Sequence, residues 1–90
     1  MSETTVWKFE FMIEDEVVVM MPEGAKVLSV GCQNRRCVCL WAMVSPTANP
    51  TRRRFLIRGT GHPLPLEPMT YVGRADDAPF VWHVFQAVNP

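Results

Sequence analysis

Apolar and polar residues alternate with a period of two along most of this chain, the spacing of strands that bury one face. In VWKFEFMI, Trp7, Phe9, Phe11 and Ile13 alternate with Lys8, Glu10 and Met12. Glu14 and Asp15 make a turn, and EVVVMM then runs until Pro22 stops it and Glu23-Gly24 offers a reversal. AKVLSVGC leads through QNRR, which reads as a hairpin loop, into CVCLWAMV. That strand is apolar on both faces: Val38, Leu40, Ala42 and Val44 on one, Cys37, Cys39, Trp41 and Met43 on the other. Residues 45–51, SPTANPT, lack periodicity and carry two prolines, so they read as a loop. RRRFLIRG sends Phe55 and Ile57 one way and Arg54, Leu56 and Arg58 the other. MTYVGR reads as a short strand, ADDAP as a turn, and PFVWHVFQ as the closing strand.

No segment offers a helical stripe. The pattern predicts an all-β fold, a small antiparallel β-sandwich or barrel of six or seven strands. Ninety residues make one domain, since chains divide into separate cores only at roughly 250 residues. That domain is expected to span 1–90, with flexible ends over 1–5 and 87–90.

CVCLWAMV and PFVWHVF carry apolar side chains on both faces, and EVVVMM nearly does. A two-layer sandwich buries one face of each sheet, and large exposed apolar patches are rare on soluble monomers. The excess therefore predicts self-association, with loops over the second face as the competing arrangement.

Nine basic and nine acidic side chains give a formal charge of zero, so no global field draws the protein to nucleic acid or an anionic membrane. The charges are unevenly placed. Glu3, Glu10, Glu14, Asp15, Glu16 and Glu23 precede Arg35, Arg36, Arg52, Arg53, Arg54, Arg58 and Arg74, so one end of the chain is expected to neutralise the other. The N-terminus lacks the basic and apolar regions of a signal peptide, and CVCLWAMV falls well short of the roughly 20 residues of a membrane helix. These features point to a cytoplasmic protein without membrane contact. Three cysteines in such a setting are expected to be reduced, although Cys32 and Cys37 could lie opposite each other across QNRR.

Candidate chemistry is sparse. In GTGHP, Gly59 and Gly61 begin like a dinucleotide fingerprint, but Leu64 stands where the third glycine belongs, and Pro63, Pro65 and Pro68 forbid the helix that must follow. Turn punctuation is the better reading. His62, His83 and the cysteines lack the paired spacing of a structural zinc site, and His83, between Trp82 and Val84, reads as a hydrogen-bonded structural histidine. Neither nucleophile and base nor an acid/base carboxylate pair can be assembled, because Asp76 and Asp77 are adjacent and read as turn residues. No metal, cofactor or catalytic residue is expected. TRRRFLIRG is the strongest nucleic-acid candidate, with arginines to track phosphates beside Phe55 to stack on a base, although guarding an edge strand is the commoner use of such charges.

The segments VWKF, MPEGAKVLSVGCQN, CLWAMVSP, FLIRGTGHPLP, YVG and PFVWHVFQ together resemble a family of small phage, prophage and bacterial proteins of unknown function, over residues 6–86. The resemblance implies a short cytoplasmic accessory protein of the bacterial host and brings no reaction or cofactor with it. GTGHP and PFVWHVF belong to the family pattern, which adds weight to His62, Trp82 and His83, whereas the cysteine-rich strand and the RRR run depart from it. The expected function is protein interaction, with the chain itself or a host or phage protein, through Trp7, Trp41 and Trp82, because tryptophan carries interface energy. The alternative is a nucleic-acid-binding β domain using Arg52, Arg53, Arg54 and Arg58.

Overall fold

The structure, a computed structural model, describes residues 3–90. Seven strands follow one another: β1 (Thr5–Met12), β2 (Glu16–Pro22), β3 (Lys26–Gly31), β4 (Cys37–Val44), β5 (Pro50–Gly59), β6 (Met69–Asp77) and β7 (Phe80–Ala87). They form a three-stranded sheet in the order β1-β4-β3 and a four-stranded sheet in the order β2-β5-β7-β6, with every neighbouring pair antiparallel. The fold is a small all-β sandwich. Of the ends expected to be flexible, Thr5 and Ala87 are strand residues, and residues 1 and 2 lie outside the described residues. Among the described residues no helix is long and apolar enough to cross a membrane.

The alternation read from the sequence is the alternation that packs. Val38, Leu40, Ala42 and Val44 of β4 are all buried against Phe55 and Ile57 of β5, Met21 of β2 and Val84 of β7. Phe9 and Phe11 of β1 and Val17 and Val19 of β2 close the sides of this layer. Burying each of the larger side chains contributes about 1.5–3 kcal/mol, so this single layer is the main source of stability. On one side of the sandwich the sheet edges meet. The Val30 side chain lies so close to Gly73, at an irregularity in the β6–β7 register, that a Cβ there would be 2.9 Å from Val30 Cγ2.

Strand order explains what covers the second face of the four-stranded sheet. Because β7 lies between β5 and β6, the connection over residues 60–68 must cross β7, and it crosses on the outside. Arg58 Nε donates to the Pro63 carbonyl at 3.1 Å, and Arg54 pairs with Glu67 at 2.8 Å. Between those two arginines, Leu56 projects from the outer face and is still only 3% exposed. The expectation that apolar material would be left in water holds at the margins of this sheet, where Val18 and Met20 of β2 and Tyr71 of β6 are exposed on the outer face, and is corrected only at its centre. A loop roofs it.

GTGHP is the start of that roof. Gly59 to His62 form a tight turn in which the His62 N–H donates to the Gly59 carbonyl at 3.0 Å. Gly61 takes the positive φ of 88° that such a turn requires at its third position. Gly59 serves space rather than angle: a Cβ there would stand 2.8 Å from the His62 ring.

The far hairpin differs from the sequence reading. ADDAP is not all turn, because β6 continues through Asp76 and Asp77, which face Val81 and Phe80, and only Ala78 and Pro79 remain between the strands. The pairing partners in β7 extend the strand over residues whose own preference is for turns.

Leu56→Ala tests the roof. A truly covered leucine should lose about 2–4 kcal/mol on truncation, read as a lower denaturant midpoint. A loss below about 1 kcal/mol would show that residues 60–68 do not seal this face.

Candidate functional site

The outer face of the three-stranded sheet has no such roof. Register places Val6, Lys8, Glu10 and Met12 of β1 opposite Met43, Trp41, Cys39 and Cys37 of β4, all on this face. Lys26 and Ser29 of β3 pair with Met43 and Trp41 from the other side, and a bulge leaves Leu28 between them. Val6 is 53% exposed and Met12 66%, with Leu28 and Met43 also exposed. Trp41 is half-buried, its ring lying over Gly31, where a Cβ would come within 3.1 Å of it.

A polar network crosses the middle of this face. The Glu10 carboxylate accepts from Asn34 Nδ2 at 2.9 Å and from the Cys39 thiol at 3.3 Å, while Lys8 Nζ donates to Gln33 Oε1 at 3.0 Å. Burial first, and the Glu10 hydrogen bond second, push the Cys39 thiol up, so it remains a protonated donor. Cys32 is likewise pushed up by burial, then by Asp77, and its thiol donates to the Asn34 carbonyl at 3.1 Å. All three cysteines are free thiols, and among the described residues no cluster of three His, Cys, Asp or Glu side chains could hold a metal.

The structure separates the three tryptophans. Trp7 projects on the inner side of β1 beside Phe9, with ring centres 6.3 Å apart, and is 39% exposed at the rim of the core. Trp41 is on the outer face. Trp82 is half-buried at one end of the sandwich, stacked on Phe80 with ring centres 5.4 Å apart and met edge-on by His62 at 6.3 Å. Here lies a groove of about 410 Å³ lined by Met12, Ile13, Arg35, Arg36, Asp77, Phe80 and Trp82. Asp77 accepts from the Arg36 backbone N–H at 3.1 Å, which ties the β3–β4 loop to the β6–β7 hairpin. The buried indole N–H of Trp82 has no hydrogen-bond partner among the described residues.

The histidines hold the fold. His62 Nδ1 accepts the Gly59 N–H at 3.2 Å, which locks the turn that begins the roof. His83 stands between Thr60 Oγ1, 2.8 Å from Nε2, and Tyr71 Oη, 2.9 Å from Nδ1. It therefore joins the start of the roof to β6.

The arginine run is scattered. Arg52 is exposed on the outer face of β5, and Arg53 is on the opposite side, half-buried. Arg54 pairs with Glu16 and Glu67 and donates to the Asn89 carbonyl. Arg58 donates to the carbonyls of Asp15, Ile57 and Pro63. Sequence reasoning passed over Arg35, Arg36, Phe80 and the Glu10 network, because a hairpin loop and a strand end give no periodic signal that they will meet.

The Asn34 amide first, and the Cys39 thiol second, hold the Glu10 carboxyl below the ordinary carboxylate range. A depressed folded-state value stabilises above the unfolded value of roughly 4.3, and that stabilisation disappears as the pH falls through the folded value. Denaturant midpoints of the native protein and Glu10→Gln should therefore converge as the pH is lowered from neutral through the unfolded value and below it. A gap that stays constant over this window would show that the network contributes nothing.

No match was found among curated proteins or among solved structures. A family described as Domain of unknown function (DUF7352) matches residues 2–90, which take in both sheets, the roof and the groove, and the chain belongs to that family.

Proposed function

We propose that this is a non-catalytic accessory protein that works as a protein-interaction module and associates with itself through its three-stranded sheet. The observation that carries this reading is the asymmetry of the two sheets. Residues 60–68 roof the centre of the four-stranded sheet, with Leu56 sealed beneath and Val18, Met20 and Tyr71 exposed at its margins, while no segment lies over the other sheet, where Val6, Met12, Leu28 and Met43 stand exposed. Exposed apolar side chains gathered on one sheet are the mark of an interaction surface, and two of them, Val6 and Met12, lie on its free edge strand β1, where a second copy docks without any further component.

The resemblance of VWKF, FLIRGTGHPLP and PFVWHVFQ to small phage and prophage proteins supports a place in the bacterial cytoplasm, where a host or phage protein is the next candidate partner. Nucleic-acid binding through Arg52, Arg53, Arg54 and Arg58 is less favoured. Arg54 and Arg58 already meet intramolecular acceptors, and Arg53 leaves the face that Arg52 shares with them. Such a divided set does not make the continuous basic track that backbone binding needs.

Sedimentation at micromolar concentration should show a dimer or larger species, and the double variant Val6→Lys/Met12→Lys should sediment as a folded monomer. A native protein that sediments at 10.3 kDa over this range would remove the reading. Tight binding to single-stranded RNA or DNA that falls steeply with added salt would replace it with the nucleic-acid reading.

A further inference from the structure

A sandwich of two open sheets has four edge strands, here β1, β3, β2 and β6. Two of them shield each other, since β3 and β6 pack together where Val30 meets Gly73. On β2, the Ile57 N–H donates to the Asp15 carbonyl at 3.2 Å, so alternation turns the main-chain groups of Glu16, Val18, Met20 and Pro22 away from β5. Pro22 has no N–H to offer, and the Glu16 side chain is held by Arg54. That leaves β1, which contains no proline or bulge and pairs with β4 in continuous register.

The hydrogen-bond phase of β1 is fixed by its end. The Ile13 N–H donates to the Arg36 carbonyl at 2.8 Å, one step beyond the Met12–Cys37 pair, so the odd-numbered residues of β1 bond to β4. Val6, Lys8, Glu10 and Met12 then direct their N–H and C=O groups away from the molecule. These are also residues whose side chains stand exposed on the outer face.

Antiparallel pairing of two identical strands about a two-fold axis must match even residues with even residues to satisfy these groups. Only three central registers leave most of the strand paired. An axis at Lys8 sets Lys8 against Lys8 of the second copy, and an axis at Glu10 sets Glu10 against Glu10, both like-charge contacts that destabilise a ladder. An axis at Phe9 sets Lys8 against Glu10 and Glu10 against Lys8, Val6 against Met12, Trp7 against Phe11 and Phe9 against Phe9. Each exposed side chain of β1 between Val6 and Met12 meets a complement.

We infer that the self-association partner docks by β1-to-β1 edge pairing centred on Phe9, which makes one six-stranded sheet in the order β3-β4-β1-β1-β4-β3 across two copies. This rests on the self-association reading above and specifies its geometry. The pairing supplies about eight main-chain hydrogen bonds, two for each of four hydrogen-bonded residue pairs. Opposite charges directly across the seam select the register, whereas aromatic residues face one another in all three. Because β1 is consumed on both copies, assembly stops at the dimer.

The test compares sedimentation equilibrium of the native chain with four variants. Lys8→Glu and Glu10→Lys each place like charges opposite one another twice per dimer, and each should weaken dimerisation about tenfold or more. The exchange Lys8→Glu/Glu10→Lys should return it to within about threefold of native, which no face-to-face packing explains. Val6→Pro removes an N–H that points to the free edge and so spares the β1–β4 ladder; it should leave circular dichroism unchanged and weaken the dimer about tenfold or more. If Val6→Pro fails to fold, the charge exchange alone decides. A native dimer that is indifferent to both single reversals overturns edge pairing and leaves self-association standing. A native monomer overturns both.

Discussion

Seven short strands surround one layer of side chains, and everything else follows from that layer having room for a single face of each sheet. Val38, Leu40, Ala42 and Val44 meet Phe55, Ile57 and Val84 across it, and all are essentially inaccessible to water. A chain with 48% hydrophobic residues has more apolar surface than one such layer can take. The remainder lies outside that layer, and the two sheets treat it differently.

Over the centre of the four-stranded sheet the covering is topological. Strand order β2-β5-β7-β6 obliges the chain to pass over β7 between β5 and β6, and the prolines at 63, 65 and 68 keep this passage extended rather than helical. His62 locks the turn at its start, His83 bridges Thr60 to Tyr71 beside it, and Arg58 and Arg54 hold its middle and end. A motif that looks like chemistry in sequence is the hinge of a lid fixed shut. The three-stranded sheet, by contrast, is joined by short connections that have no length to double back, and no segment of the chain lies over its outer face.

The strands and their inward rows were legible because alternation is local: Phe55 and Ile57 opposite Arg54 and Arg58 in sequence are opposite in space. Strand order was not legible, since no pattern within a strand says which neighbour it takes. From that one gap come the other differences. The roof over Leu56 depends on β7 standing between β5 and β6, and the extension of β6 through Asp77 depends on β7 as its partner. The three tryptophans read as one apolar surface because each lies in an apolar strand. Register then sends Trp7 to the inner rim, Trp41 to the outer face and Trp82 to the end. The thiol of Cys39 and the carboxylate of Glu10 meet for the same reason, through the pairing of β1 with β4.

Charge follows the same logic as apolar area. An acidic first quarter and an arginine-rich remainder suggest neutralisation of one end by the other, and Glu16 does reach Arg54 within one molecule. Arg54 is also paired with Glu67, so a single guanidinium joins the acidic end, β5 and the roof, and these hydrogen-bonded carboxylates hold its proton more firmly. Surface ion pairs are weak stabilisers in isolation, and their value here lies in geometry: they fix where the roof lies, which determines that Leu56 is sealed. Lys8 and Glu10 sit two apart on a free edge, a spacing that sets like charge against like in the registers centred on either residue and opposite charges together in the one centred between them. The same electrostatics that fixes the roof on one sheet therefore gives the open edge of the other the charge pattern on which the proposed pairing rests.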